Sequence, residues 1–174
     1  MATANNKRIE ETATTALKAA LLRCPILESY IDSNDKTPSW DGTVFVYRNG
    51  SQKKADLLGR VPIQIKGTEK VFLSDTVSFS CNVEDLRNYY NDGGCVFFLL
   101  SVNPSNGNSK IYYVSLLVYD LKKLLDAAEN QKTKSLELTA FPVDDINEMS
   151  AIFMSFVENS RKQISFIGKR LSFY

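Results

Sequence analysis

Ten residues, GGCVFFLLSV at 93–102, constrain this chain more than any other stretch. They carry no charge, and after the two glycines the apolar run is almost unbroken. Successive side chains of a strand point to opposite faces. A continuous apolar run therefore needs cover on both faces, the pattern of a central strand between two layers. The rest of the chain must supply the neighbouring strands and the helices that cover them.

The flanking segments meet that demand. Residues 7–23, KRIEETATTALKAALLR, predict a helix with Ile9, Ala13, Ala16, Leu17, Ala20 and Leu21 as its apolar stripe. Cys24-Pro25 ends it, and a polar segment with turn residues follows at 32–39. TVFVYR at 43–48 and RVPIQIKG at 60–67 read as two strands. A turn or longer loop at 49–59, opened by Asn49-Gly50, makes them a hairpin. More strands are expected at 76–81, 110–118 and 135–141, with a hairpin turn at 104–109. Helices are expected at 82–92 with Asn82 as N-cap, at 119–130 and at 144–163. The apolar stripe of the last one, from Ile146 to Val157, is wide enough to cover the sheet or to serve in part as a dimer or partner surface. The order α-β-β-β-α-β-β-α-β-α implies a mixed sheet with helices packed on it, an α/β or α+β architecture.

Composition narrows the chemistry. A chain of 174 residues with 44% hydrophobic content is expected to form one domain with one packed interior. Its apolar end, SFIGKRLSFY, reads as a domain cut from a longer protein or as a tail that packs on a partner. No apolar window is long enough to span a membrane, and MATANNKRIEE has no signal-peptide core. Cys24, Cys81 and Cys95 are odd in number and widely spaced, which reads as reduced thiols of a cytoplasmic protein. There is no histidine, so His-dependent triads, His-ligated zinc and a His general base are all excluded. With 21 basic and 20 acidic residues the net charge is +1, so any grip on nucleic acid must be local or supplied by another subunit. Chemistry here must run on carboxylates, Lys and a hard metal.

Four residues suit that description: Glu10, Asp41, Gln64 and Lys66. Val61, Ile63 and Ile65 alternate with Pro62, Gln64 and Lys66, which puts an amide and an ammonium on one strand face. A hairpin brings the start of its first strand near the end of its second, so Asp41 can face Gln64 and Lys66. Gly42 allows the close approach. On the first helix Glu10 shares a face with Ala13, Leu17 and Leu21, whereas Glu11 goes with Thr15 and Lys18. Glu10 thus borders the core and needs a partner, either a metal or a Lys or Arg. Oxygens from Asp41, Glu10 and Gln64 and the Ile65 carbonyl would make a partial shell for Mg²⁺ or Mn²⁺. Lys66 beside it would hold the attacking water and offset phosphate charge. Taken singly, each residue has an ordinary explanation: Asp41-Gly42 as a turn, Lys66 as an edge guard. The aromatics Tyr89, Tyr90, Tyr112 and Tyr113 would stack on bases or fill a core. QKK at 52–54, with Arg48 and Arg60, would contact phosphates or line a solvated loop.

The residues RIEETATTAL, WDG and IQIKGT, in that order, resemble the PD-(D/E)xK nuclease superfamily, closest to its Mrr-type branch with Gln in the third motif position. The stretch from LRNYYNDGGCVFFLLSVN to KIYYVSLL is similar to bacterial domains of unknown function in that superfamily. The resemblance implies a restriction-endonuclease-like mixed sheet flanked by helices. It implies an endonuclease that hydrolyses DNA using Mg²⁺ or Mn²⁺ and leaving a 5′-phosphate; RNA is a further substrate reading, since the metal chemistry does not distinguish the sugar. Its metal ligands would be Asp41, Gln64, Glu10 and the Ile65 carbonyl, with Lys66 as the catalytic lysine. Such domains commonly stand at the N-terminus of multidomain antiphage defence proteins beside an ATPase or sensor, and the partner expected for this chain is such a complex or a second copy of itself. Gln64 in place of an acid leaves a second reading open, a nuclease-like module that no longer cuts and serves interaction or oligomerisation.

Overall fold

The apolar run becomes the central strand of a sheet. The computed structural model of the protein describes residues 2–32 and 38–168; part of the polar segment, 33–37, and the chain end, 169–174, lie outside the described residues. In chain order the elements are α1 (Ala2–Leu22), β1 (Leu27–Ile31), β2 (Gly42–Tyr47), β3 (Leu57–Thr68), β4 (Thr76–Asn82), α2 (Val83–Asp92), β5 (Cys95–Val102), β6 (Ser109–Leu116), α3 (Val118–Asp126), β7 (Thr133–Ala140) and α4 (Ile146–Gln163). The sheet has seven strands in the order β1-β2-β3-β5-β6-β7-β4. β3 and β5 run parallel, and the other recorded pairs are antiparallel. The fold is mixed α/β.

Alternation along β5 divides the interior into two cores. Val96, Phe98 and Leu100 join Ala13, Leu17 and Leu21 of α1 and Met149, Phe153 and Phe156 of α4. Cys95, Phe97 and Leu99 point the other way, against Leu86 and Tyr89 of α2 and Leu121 of α3. All six β5 side chains are fully buried, each worth about 1.5–3 kcal/mol for the larger residues. Phe98 meets Phe141 edge-on, with ring centroids 5.3 Å apart. Tyr89 and Tyr112 lie fully inside the second core, so packing accounts for both. The stripe of α4 mostly covers the sheet, since Met149, Phe153, Phe156 and Val157 are buried while Ile146 is exposed.

Several local readings change. The five residues LESYI form β1, a strand not expected from the pattern. Only its ends, Leu27 and Ile31, are buried, so it lacks the alternation that marks a strand. It pairs along β2, and its Glu28 carboxylate accepts the Tyr30 and Tyr47 hydroxyls, each at 2.8 Å. The segment 49–59 is not all loop, because β3 already starts at Leu57 with a register shift opposite Val46 and Tyr47. Gln52 there donates to the carbonyls of Pro25 and Leu27, at 3.0 and 3.3 Å, and so braces β1. Gly93 and Gly94 belong to the end of α2 and not to β5. Gly93 takes a left-handed φ of +95° as C-cap, the conformation that glycine adopts at no steric cost. Asn82 stands at the N-cap position of α2, but its side chain makes no capping bond.

No helix among the described residues is long and apolar enough to cross a membrane. The three cysteines are free and buried. Burial pushes the Cys81 thiol up to about 12; Asp85 adds to the rise and Lys66 opposes it. Burial also raises Cys95. A thiol raised in this way favours folding fully below its ordinary titration range, and the contribution is lost as pH climbs from there through about 12. Native protein at pH 8 is therefore expected to resist iodoacetamide at Cys81 and Cys95, and protein in guanidinium to alkylate at both. Mass spectrometry counts the adducts, and rapid native labelling of either thiol would contradict the packing described.

Candidate active site

The hairpin leaves one strand edge unfinished. β2 covers β3 only to Ile63, which pairs with Gly42. Residues 64–68 of β3 keep β5 on one side and have no β2 partner on the other. Backbone groups at such an edge need partners. Asp41, the residue before β2, supplies them. Its N–H donates to the Ile63 carbonyl at 3.0 Å, and its Oδ2 accepts the Ile65 N–H at 2.7 Å. The same oxygen accepts Gln64 Nε2 at 2.5 Å. That nitrogen also donates to the Ile65 carbonyl at 3.2 Å.

The approach to Asp41 is anchored residue by residue. Ser39 holds a left-handed φ of 69°, a conformation costing about 1–2 kcal/mol in a residue with a Cβ. Its hydroxyl donates to Asp85 of α2 at 2.6 Å and accepts from Asn88 at 2.9 Å, which offsets that cost. Trp40 packs edge-on against Tyr89, with centroids 6.0 Å apart. Its buried indole N–H has no hydrogen-bond partner among the described residues. Gly42 follows, and a Cβ there would strike the Tyr30 carbonyl of β1. Larger residues are excluded at that point, as the close approach requires.

Glu10 arrives from the other side. Val61, Ile63 and Ile65 face the α1/α4 core, so Gln64 and Lys66 leave β3 from the opposite face. α1 reaches them only because β3 is uncovered at this edge and Gly67 has no side chain. A Cβ on Gly67 would lie 2.8 Å from Ile9 Cγ2 and 3.1 Å from both Ala13 Cβ and the Ile9 carbonyl. Pressed against that glycine, α1 turns Glu10 into the same cleft as Asp41 and Lys66.

The cleft has a volume of about 240 Å³ and is lined by Glu10, Thr14, Asp32, Asp41, Ile65 and Lys66 around Gly67. Glu10 and Lys66 are exposed there, while Gln64 is only 4% exposed behind Asp41. Glu11 instead lies 3.8 Å from Lys7 on the outer face of α1, so the helical phase separates the two glutamates as expected. Asp32 and Thr14 are additions. Thr14 sits one turn beyond Glu10 on the same helix face, a spacing present in the sequence. Asp32 follows β1 directly, and without that strand it had no legible position.

The donors are hard oxygens: carboxylates, an amide and a main-chain carbonyl. Among the described residues no group of three or more His, Cys, Asp and Glu side chains is arranged to hold a metal ion. Any cation here would rest on a mixed set, with Gln64 Nε2 already within hydrogen-bonding distance of both Asp41 Oδ2 and the Ile65 carbonyl. Such a set fits Mg²⁺ or Mn²⁺ and does not fit a soft metal. No family model matches the chain, and neither a curated protein nor a solved structure does.

Gly67 links packing to the cleft. Gly67→Ala is expected to cost about 1–3 kcal/mol by overpacking, lowering Tm by roughly 2–12 °C for a chain of this size. Thermal and denaturant unfolding check it, and an unchanged midpoint would contradict the close seat of α1 on β3.

Proposed function

We propose that the protein is a metal-dependent endonuclease with a restriction-endonuclease-like fold of the PD-(D/E)xK type, hydrolysing DNA phosphodiesters. The observation that carries this reading is the convergence of Glu10, Asp41 and Lys66, from three separate segments, on one cleft open to solvent, with Gln64 bonded to Asp41. Asp41, Glu10, Gln64 and the Ile65 carbonyl would hold Mg²⁺ or Mn²⁺. Bound there, the ion supplies Lewis-acid polarisation of the phosphate and a more acidic water. Lys66 donates a hydrogen bond to the attacking water and places positive charge beside the phosphoryl oxygens as charge builds on them. Water adds to phosphorus, the bond to the 3′ oxygen breaks, and that oxygen leaves protonated as a 3′-hydroxyl; the 5′ side keeps the phosphate. Asp41 orients this set by fixing the β3 edge.

The near-neutral net charge favours an effector held to DNA by an assembly, a homo-oligomer or a defence complex with an ATPase or sensor, over a free-standing binder. RNA is a second substrate class for the same chemistry. A non-catalytic interaction module is favoured by one observation: the amide of Gln64, not a third acid, stands between Asp41 and the Ile65 carbonyl.

Incubation with supercoiled plasmid and millimolar Mg²⁺ or Mn²⁺ tests the reading. Wild type is expected to nick and linearise it, and Lys66→Ala and Asp41→Ala to lose about 10²-fold or more of the rate, the scale of one lost transition-state contact. Equal products from wild type and both variants would overturn the assignment.

A further inference from the structure

We propose that the Gln64 side-chain amide is a two-position switch that reads whether a cation is present, an inference that rests on the metal-binding reading above. Gln64 Nε2 lies 2.5 Å from Asp41 Oδ2 and 3.2 Å from the Ile65 carbonyl oxygen. A main-chain carbonyl only accepts, and an ionised carboxylate only accepts. The amide must therefore present its nitrogen to both, and its two hydrogens stand in for the positive charge that would otherwise join them. The residue is 4% exposed, so water cannot readily replace either bond.

The terminal torsion of Gln is broad and roughly two-fold. A half-turn about it exchanges Nε2 for Oε1 and leaves the carbon skeleton in place. Three oxygens would then converge with no hydrogen between them, an arrangement stable only around a cation. Neighbouring ligands of an octahedral Mg²⁺ at about 2.1 Å lie about 3.0 Å apart. The separations of 2.5 and 3.2 Å bracket that value. On these two separations the cleft needs little rearrangement to take the ion, and its two states differ in which end of one amide points inward. Glutamate at this position would bind a cation more tightly, but without one it would press a second carboxylate against Asp41. Glutamine lets the cleft form without metal, at the cost of affinity.

The side-chain ¹⁵N–¹H resonances of Gln64, assigned through bonds, test this in the intact protein. In EDTA the amide protons are expected to exchange slowly with solvent. At saturating Mg²⁺ they should shift and exchange faster by about tenfold or more, the factor given by losing the hydrogen bond to the charged Asp41 carboxylate. A second arm compares unfolding of wild type and Gln64→Glu. The variant should melt lower than wild type in EDTA and gain more from Mg²⁺. If Mg²⁺ moves the backbone resonances of Ile65 and Lys66 but not the Gln64 side chain, the switch is wrong and the metal site stands. If no resonance near the cleft moves, both are wrong. A Gln64→Glu variant as stable as wild type in EDTA would also overturn the switch. Should that variant fail to fold, the wild-type amide decides alone.

Discussion

One carboxylate oxygen, Asp41 Oδ2, joins the two halves of this cleft. It accepts the Ile65 N–H and the Gln64 amide together, at the place where β2 stops covering β3. Without it the uncovered end of β3 would present an unsatisfied N–H, costing about 1–3 kcal/mol, and a buried amide held by the Ile65 carbonyl alone. With it the edge is closed by a side chain in place of a strand, and the space a strand would have filled stays open. The cleft exists because pairing ends one residue short of Gln64.

The rest of the fold holds that junction still. Two cores, one on each face of β5, clamp the sheet between α1 and α4 on one side and α2 and α3 on the other. Each helical layer also sends one anchor to the edge. α2 fixes Ser39 and Trp40, and with them Asp41. α1 sits on Gly67 and delivers Glu10. Groups from opposite faces of the sheet can meet only around a free strand edge, so the position of the cleft follows from the topology. Packed layers deform little, which keeps the cleft groups in register with no ligand bound.

Strong patterns were legible in the sequence and weak ones were not. The run in β5, the stripe of α1 and the alternation in β3 each repeat over two or more turns or strand periods, and they named the central strand, the phase of Glu10 and the face of Gln64 and Lys66. The hairpin then implied that Asp41 lies opposite Gln64. What escaped was short or tertiary. LESYI carries two buried residues in five, too few for a period, and losing that strand also hid Asp32. Gly93 and Gly94 look like the start of a strand, but their positive φ angles close a helix instead. The donor end of Gln64 could not be read from a motif, since it depends on two oxygens brought together only by folding.

Binding of Mn²⁺ followed by calorimetry, in wild type and in Asp41→Ala, bears most directly on the claim that this junction is a cation site. Saturable heat in wild type and none in a folded Asp41→Ala protein is the predicted result. No heat at millimolar Mn²⁺, or the same isotherm from both proteins, would contradict it.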